Sequence, residues 1–97
     1  MRIRWTSKAA SDLVRLHEHL QPIAPAAAAR VVQQLTRVPD KLHDFPRLGE
    51  KLEAFDPREV RRLTVGNYEL RYEIDNGVIF ILRLWHCREN RSFEPEN

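Results

Sequence analysis

The chain has 97 residues, 42% apolar and 31% charged, which makes one small domain with a core of its own and excludes a disordered chain. A net charge of +2 excludes a polycation, and the single cysteine, Cys87, excludes an internal disulfide and a cysteine metal cluster. No run approaches the ~18 apolar residues of a membrane-spanning helix, and the opening MRIRWTSKAA lacks the apolar centre of a signal peptide, so a cytoplasmic location without membrane association is expected. Thirteen of the sixteen basic residues are arginine. The planar fork of donors on arginine suits phosphate and carboxylate, so the bias fits a nucleic-acid target or an acidic protein partner; a GC-rich coding sequence produces it equally well.

Residues 2–6, RIRWT, alternate polar and apolar and read as a short strand. Thr6 or Ser7 is placed to cap a following helix, in which Ala9, Leu13, Leu16 and Leu20 fall on one face. Pro22 and Pro25 end that helix and open a second, whose stripe is Ala28, Val31, Val32, Leu35 and Val38. Pro39 is expected to kink or break it, with Leu42 and Phe45 continuing the apolar register. The short proline-marked turn makes the pair a helical hairpin. Residues 46–58, PRLGEKLEAFDPR, read as a loop.

After the loop the period changes to two, and strands are expected at 59–65, 68–75 and 78–86. Asn76-Gly77 is the strongest hairpin signal, because both residues tolerate positive φ; Gly66-Asn67 is a second two-residue turn. The order β-α-α-β-β-β describes an α+β domain with a helical hairpin packed on one face of an antiparallel sheet. Two-residue turns pair 65 with 68, 63 with 70, 62 with 71 and 61 with 72. They also pair 75 with 78, 74 with 79, 72 with 81, 70 with 83 and 68 with 85. On that register Leu63, Val65, Tyr68, Leu70, Tyr72, Ile74, Ile79, Ile81 and Trp85 lie under the helices, with Arg83 beside Tyr68 and Trp85. The open face carries Arg62, Glu69, Arg71, Glu73, Asp75, Phe80, Leu82, Leu84 and His86. The last strand, apolar on both sides, is expected at the centre of the sheet. Arg62 and Arg71 stand opposite one another, which is destabilising unless a counter-charge bridges them. Glu69 and Glu73 can do so within the protein; an acidic partner or a bound anion is the alternative.

His17-Glu18-His19 does not make a metal site on a helix, because residues two apart point roughly 200° from each other. His43, beside Asp44, is read as a histidine favoured by the helix C-terminus. No Ser-His-Asp order, glycine-rich phosphate loop or spaced acid pair stands out. His86 and Cys87 point to opposite faces of a strand and do not form a nucleophile pair. His86 with Arg88 and Arg91, just past the last strand, is the one chemically equipped cluster. A histidine serves as general acid or base, and an arginine stabilises charge on a phosphate. The other reading is a polar strand end whose arginines pair with Glu89, Glu94 or Glu96.

The element order, LHDFPRLGE at 42–50 and EVRRLTVGNYELRYEIDNGVIFILRLWHCREN at 59–90 resemble the RelE/ParE superfamily of bacterial type II toxins. The resemblance covers nearly the whole chain. It implies a small cytoplasmic, growth-arresting toxin, encoded beside an antitoxin whose C-terminal segment wraps and neutralises it. RelE-like members cut mRNA in the ribosome; ParE-like members poison DNA gyrase, and fold alone does not choose between the two. Aligned on Tyr68, the position of a RelE-type catalytic arginine falls on Thr64, and Arg88 falls where such enzymes carry an arginine after the last strand. The RelE-type C-terminal tyrosine is missing; Phe93 in SFEPEN is the nearest ring. WHCREN, with its His-x-Arg, is closer to the ParE-like branch.

The resemblance therefore implies a gyrase inhibitor of the plasmid-stabilisation kind, without cofactor or metal. The alternatives are a ribosome-dependent endonuclease with His86 and Arg88 catalytic, and a degenerate toxin retained as an antitoxin-binding module. Arg61, Arg62, Arg71, Arg83 and Arg91 are the candidate target- or phosphate-contacting residues. Phe80, Leu82 and Leu84 are the candidate antitoxin-binding patch, an apolar surface on the open face.

Overall fold

The computed structural model describes residues 1–89. Arg91 and the tail bearing Phe93, Glu94 and Glu96 lie outside the described residues. Strand β1 (Arg2–Trp5) leads into helix α1 (Ser7–Leu20), and helix α2 (Pro25–Asp44) returns. A two-residue strand β2 (Glu50–Lys51) and a 3-10 turn (Glu53–Phe55) precede β3 (Glu59–Val65), β4 (Tyr68–Asp75) and β5 (Val78–His86). The sheet order is β1-β5-β4-β3-β2. The helices cover one face, as the alternation of the strands requires. β1 lies parallel to β5, while the other neighbours are antiparallel. The sheet is therefore mixed, and α1, α2 and the strands β2, β3 and β4 all lie in the chain between β1 and its parallel partner β5.

Local chemistry accounts for most boundaries. The Thr6 side chain accepts the Ala9 N–H at 3.1 Å and caps α1. Pro25 opens α2. The expected break at Pro39 does not occur, and α2 runs through it. Pro39 removes one intrahelical bond, but Leu35, Val38 and Leu42, on either side of it, are buried to 3% exposure or less and hold the last turns against the sheet. The hairpin turn at 76–77 has Asn76 at φ 51° and Gly77 at φ 75°, the left-handed pair that the sequence signal demands. At Gly49 the constraint is close approach: a Cβ there would lie 2.7 Å from the Arg62 carbonyl and 2.9 Å from Tyr72 Cε1. The Gly49 N–H donates to the Tyr72 hydroxyl at 2.9 Å, and that hydroxyl donates to the Pro46 carbonyl at 2.8 Å. One buried tyrosine thus ties the 46–49 loop to the core.

All four pairings expected between β3 and β4 are present, including Arg62 opposite Arg71. Between β4 and β5 the expected register holds from the turn to Tyr72↔Ile81 and then shifts. Leu82 is an extra residue, a β-bulge, after which Arg71 faces Arg83, Leu70 faces Leu84 and Tyr68 faces His86. A slip of one residue reverses the faces of everything beyond it. Leu84 moves from the expected open face into the helix-side core and is fully buried. Trp85 moves the other way, His86 turns towards the helices, and Arg83 leaves the core side to stand opposite Arg71.

The bulge lies where β5 loses its neighbour, because β1 pairs only with residues 78–81. The exposed edge beyond is closed by side chains. Thr6 Oγ1 donates to the Leu82 carbonyl at 3.0 Å, and Asp12 Oδ2 accepts the Leu84 N–H at 2.9 Å. Arg15 Nη2 donates to the Leu84 carbonyl at 3.3 Å, and Glu89 Oε1 accepts the His86 N–H at 2.9 Å. Asp12, only 4% exposed, also accepts from Arg83 Nε at 2.8 Å and Nη2 at 3.2 Å.

Asp12→Ala is expected to destabilise the fold by about 3 kcal/mol, since it leaves a buried N–H and the Arg83 charge without their acceptor. A urea midpoint equal to that of the wild type would contradict this. Gly49→Ala is expected to destabilise by roughly 2 kcal/mol through overpacking, read as a lower melting temperature; an unchanged melt would mean that the 46–49 loop yields freely.

Candidate functional site

The ends of β4 and β5 and the second half of α1 enclose a cleft of about 570 Å³. His86 and Tyr68, cross-strand partners after the bulge, form its floor, with ring centroids 5.1 Å apart and planes at 87°. Leu16 and Leu20 supply an apolar wall; Arg15, His19, Arg88 and Glu89 form the rim. Arg15 Nη1 is 2.7 Å from Glu89 Oε2, while its Nη2 lies 3.4 Å from Asp12. Burial works to lower the Arg15 pKa, but the bonds and charges of Glu89 and Asp12 outweigh it, and the net shift is upward. Burial, reinforced by the Glu89 charge, raises the pKa of the Tyr68 hydroxyl and keeps it neutral.

His86 Nδ1 accepts the main-chain N–H of Arg88 at 3.1 Å. In that contact Nδ1 is the accepting nitrogen, which leaves Nε2 as the ring's donor position. Before Nε2 can serve as a base, the ring must take the other tautomer, which breaks the Arg88 contact. The Arg88 side chain is exposed at the rim, and Cys87 is exposed with its N–H on the Asn67 carbonyl at 2.9 Å. Among the described residues no three of His, Cys, Asp and Glu gather as a metal site.

The arginines lie elsewhere. Arg62, Arg71 and Arg83 are successive partners across β3, β4 and β5 on the face away from the helices. Each has a carboxylate: Arg62 has Glu50, Arg71 has Glu69 at 3.1 Å, and Arg83 has Asp12 at 2.8 Å. Arg71 is 1% exposed, with its guanidinium carbon 5.0 Å from the Trp85 ring centroid and 5.4 Å from that of Phe55. Such a cation between two aromatic faces is stabilised by their quadrupoles. Glu73 pairs with Arg58 at 2.9 Å rather than with Arg71. Arg61 donates to Glu59 at 2.9 Å and to the Gly49 carbonyl at 2.7 Å. Burial pushes the Glu59 pKa up, but Arg47 and Arg61 outweigh it and hold the carboxyl below its ordinary value. Of the alternatives for the Arg62–Arg71 pair, the geometry is that of an internal ion-pair network.

The sequence-derived sites are thus separated. His86 and Arg88 meet in the cleft on the helix side; Arg62 and Arg71 lie across the sheet from them. Phe80 and Leu82 are half-buried, and Leu84 is in the core and contributes nothing to a surface patch. Sequence reasoning missed Asp12, Arg15 and Phe55. Asp12 was legible only as a polar residue beside the apolar stripe of α1, and nothing local links it to Leu84, 72 residues away.

The model of the ParE toxin family of the type II toxin–antitoxin system parDE matches residues 3–91. Toxin RelE2 of Caulobacter vibrioides (strain ATCC 19089 / CIP 103742 / CB 15) is 30% identical over 83 residues, 86% of this chain and 91% of the relative. A solved structure of the chromosomal ParDE TA system from P. aeruginosa superposes with a TM-score of 0.74 at 27% identity, covering 89% of this chain and 95% of the other. A match over almost the whole length, with the same layers in a solved relative, makes the assignment plain: this chain belongs to the ParE toxin family of type II toxin–antitoxin systems.

Proposed function

We propose that the protein arrests growth by binding and poisoning DNA gyrase, without catalysing a reaction itself, and is neutralised by an antitoxin encoded beside it. The observation that carries this reading is the separation of the ribonuclease equipment. His86 Nδ1 is occupied by the Arg88 N–H, and Arg62 and Arg71 stand on the opposite face with carboxylates of their own. The position of the RelE-type strand arginine is Thr64, which is exposed. Transition-state stabilisation requires preorganised charges aimed at one point, and here Arg62 and Arg71 are paired with Glu50 and Glu69 across the sheet from His86.

Family membership supports the antitoxin partner, because a type II toxin exists with its antitoxin. It supports a cytoplasmic site of action only through the target; among the described residues no helix is long and apolar enough to cross a membrane.

A second reading draws on the cleft itself. Tyr68, His86 and Arg88 around one concavity are groups that an endonuclease uses for proton transfer and phosphate binding. The two readings part on mutation. His86→Ala/Arg88→Ala is expected to leave growth arrest on induction within about twofold of the wild type, because contacts at a rim are individually weak. Abolished toxicity in a variant with unchanged circular dichroism and melting temperature would favour the endonuclease. In a purified supercoiling reaction, micromolar wild-type toxin is expected to inhibit gyrase; unaffected supercoiling would refute the proposal.

A further inference from the structure

The outermost strand on the β5 side of the sheet is β1, and among the described residues no strand lies beyond it. Its even-numbered residues face β5. The Arg2 N–H donates to the Gly77 carbonyl at 3.3 Å, and the N–H of Thr6, just past the strand, donates to the Ile81 carbonyl at 3.0 Å. Main-chain groups alternate along a strand, so the N–H and C=O of Ile3 and Trp5 face away from the sheet. Thr6, Asp12, Arg15 and Glu89 close the edge of β5 past the end of β1. Among the described residues no side chain does the same for β1.

The same alternation sorts the side chains. Ile3 and Trp5 are half-buried against the core, while Arg2 and Arg4 are exposed on the other face. Among the described residues Arg2 and Arg4 have no ion pair, whereas every arginine of β3, β4 and β5 holds a carboxylate. The acids in their rows, Asp75 and Glu73, stand two strands away, and Glu73 already holds Arg58. Charge therefore identifies the occupant of this edge. A second copy paired edge to edge would set Arg2 and Arg4 against the same two arginines, which is destabilising. A phosphate backbone could meet the arginines but leaves the outward carbonyls without donors. An extended peptide with acidic residues two apart satisfies both the arginines and the main chain.

We propose that the edge of β1 is a contact for gyrase and takes an extended segment of it in which acidic and apolar residues alternate. This rests on the reading that gyrase is the target. The main chain of the segment pairs with Ile3 and Trp5. Its acidic side chains meet Arg2 and Arg4 on the open face, and its apolar ones extend the strip of Ile3 and Trp5 on the helix side. Four residues span only about 13 Å, so the added strand anchors and orients the complex and does not make up the whole interface. In the free toxin the two exposed arginines guard the edge against association with like copies.

The test uses the full toxin chain and purified gyrase holoenzyme. Hydrogen exchange is expected to show the Ile3 and Trp5 amides open in the free toxin and protected in the complex. Arg2→Glu/Arg4→Glu is expected to raise the toxin concentration that half-inhibits supercoiling by about tenfold or more, with an unchanged melting temperature. Arg2→Lys/Arg4→Lys, which keeps both charges, is expected to inhibit within about threefold of the wild type. Arg30→Glu/Arg37→Glu makes the same change of charge on an exposed face of α2, and is expected to inhibit as the wild type does. A reversal at Arg2 and Arg4 that inhibits like the wild type, or Ile3 and Trp5 amides that exchange alike in the free toxin and the complex, overturns the edge contact and leaves the gyrase reading standing. Equal loss from the α2 reversal also overturns it, because net charge alone would then account for binding. Wild-type toxin that neither binds gyrase nor slows supercoiling overturns both.

Discussion

Asp12 sits where the sheet runs out of neighbouring strand, and the rest of the structure depends on what it does there. One carboxylate in the first helix takes the place of the missing strand by accepting the Leu84 N–H, and neutralises Arg83 at the same time. A strand edge with unpaired main-chain groups invites association; a buried acceptor aimed at it removes that hazard and fixes where the helix lies on the sheet. Thr6, two turns earlier, and Arg15, one turn later, complete the plug. The bulge at Leu82 belongs to the same device, since the extra residue itself takes the Thr6 contact and Asp12 takes the N–H two residues on.

The bulge decides what the molecule presents to partners. Without it Trp85 would be a core residue and His86 would stand among the open-face arginines, an arrangement much closer to a phosphate-cleaving site. With it Trp85 lies against Arg71 and Arg83, while His86 faces Tyr68 across the cleft. The open-face cations become part of an ion-pair and cation–π network that holds the three strands together, and the cleft holds His86, Tyr68 and a rim of Arg15, His19, Arg88 and Glu89.

Much of the fold was legible because its signals are local. The two turns, the helical hairpin, both helix starts and the register of β3 on β4 follow from Asn76-Gly77, Gly66-Asn67, the prolines and the change of period. The parallel pairing of β1 carries no local signal, because its partner β5 lies at the other end of the chain, beyond both helices and three strands. Neither does the bulge: no glycine marks Leu82, and the side chains that contact the strand there, Thr6 and Asp12, come from the other end of the chain. Pro39 was misleading for the converse reason, as its local preference was overridden by burial of Leu35, Val38 and Leu42. At the candidate site His86 and Arg88 were visible as a strand-end cluster, and the Arg62–Arg71 opposition was visible from turn geometry. The face on which His86 lies was not, because one bulge reverses it.

What this arrangement means for the cell turns on the target. The most direct measurement is induction of the toxin in a culture carrying a reporter plasmid, with mRNA integrity and plasmid supercoiling read from the same samples. The account predicts intact mRNA together with DNA damage or lost supercoiling. Translation-dependent mRNA cuts with normal supercoiling would contradict it, and would make the His86 cleft an active site.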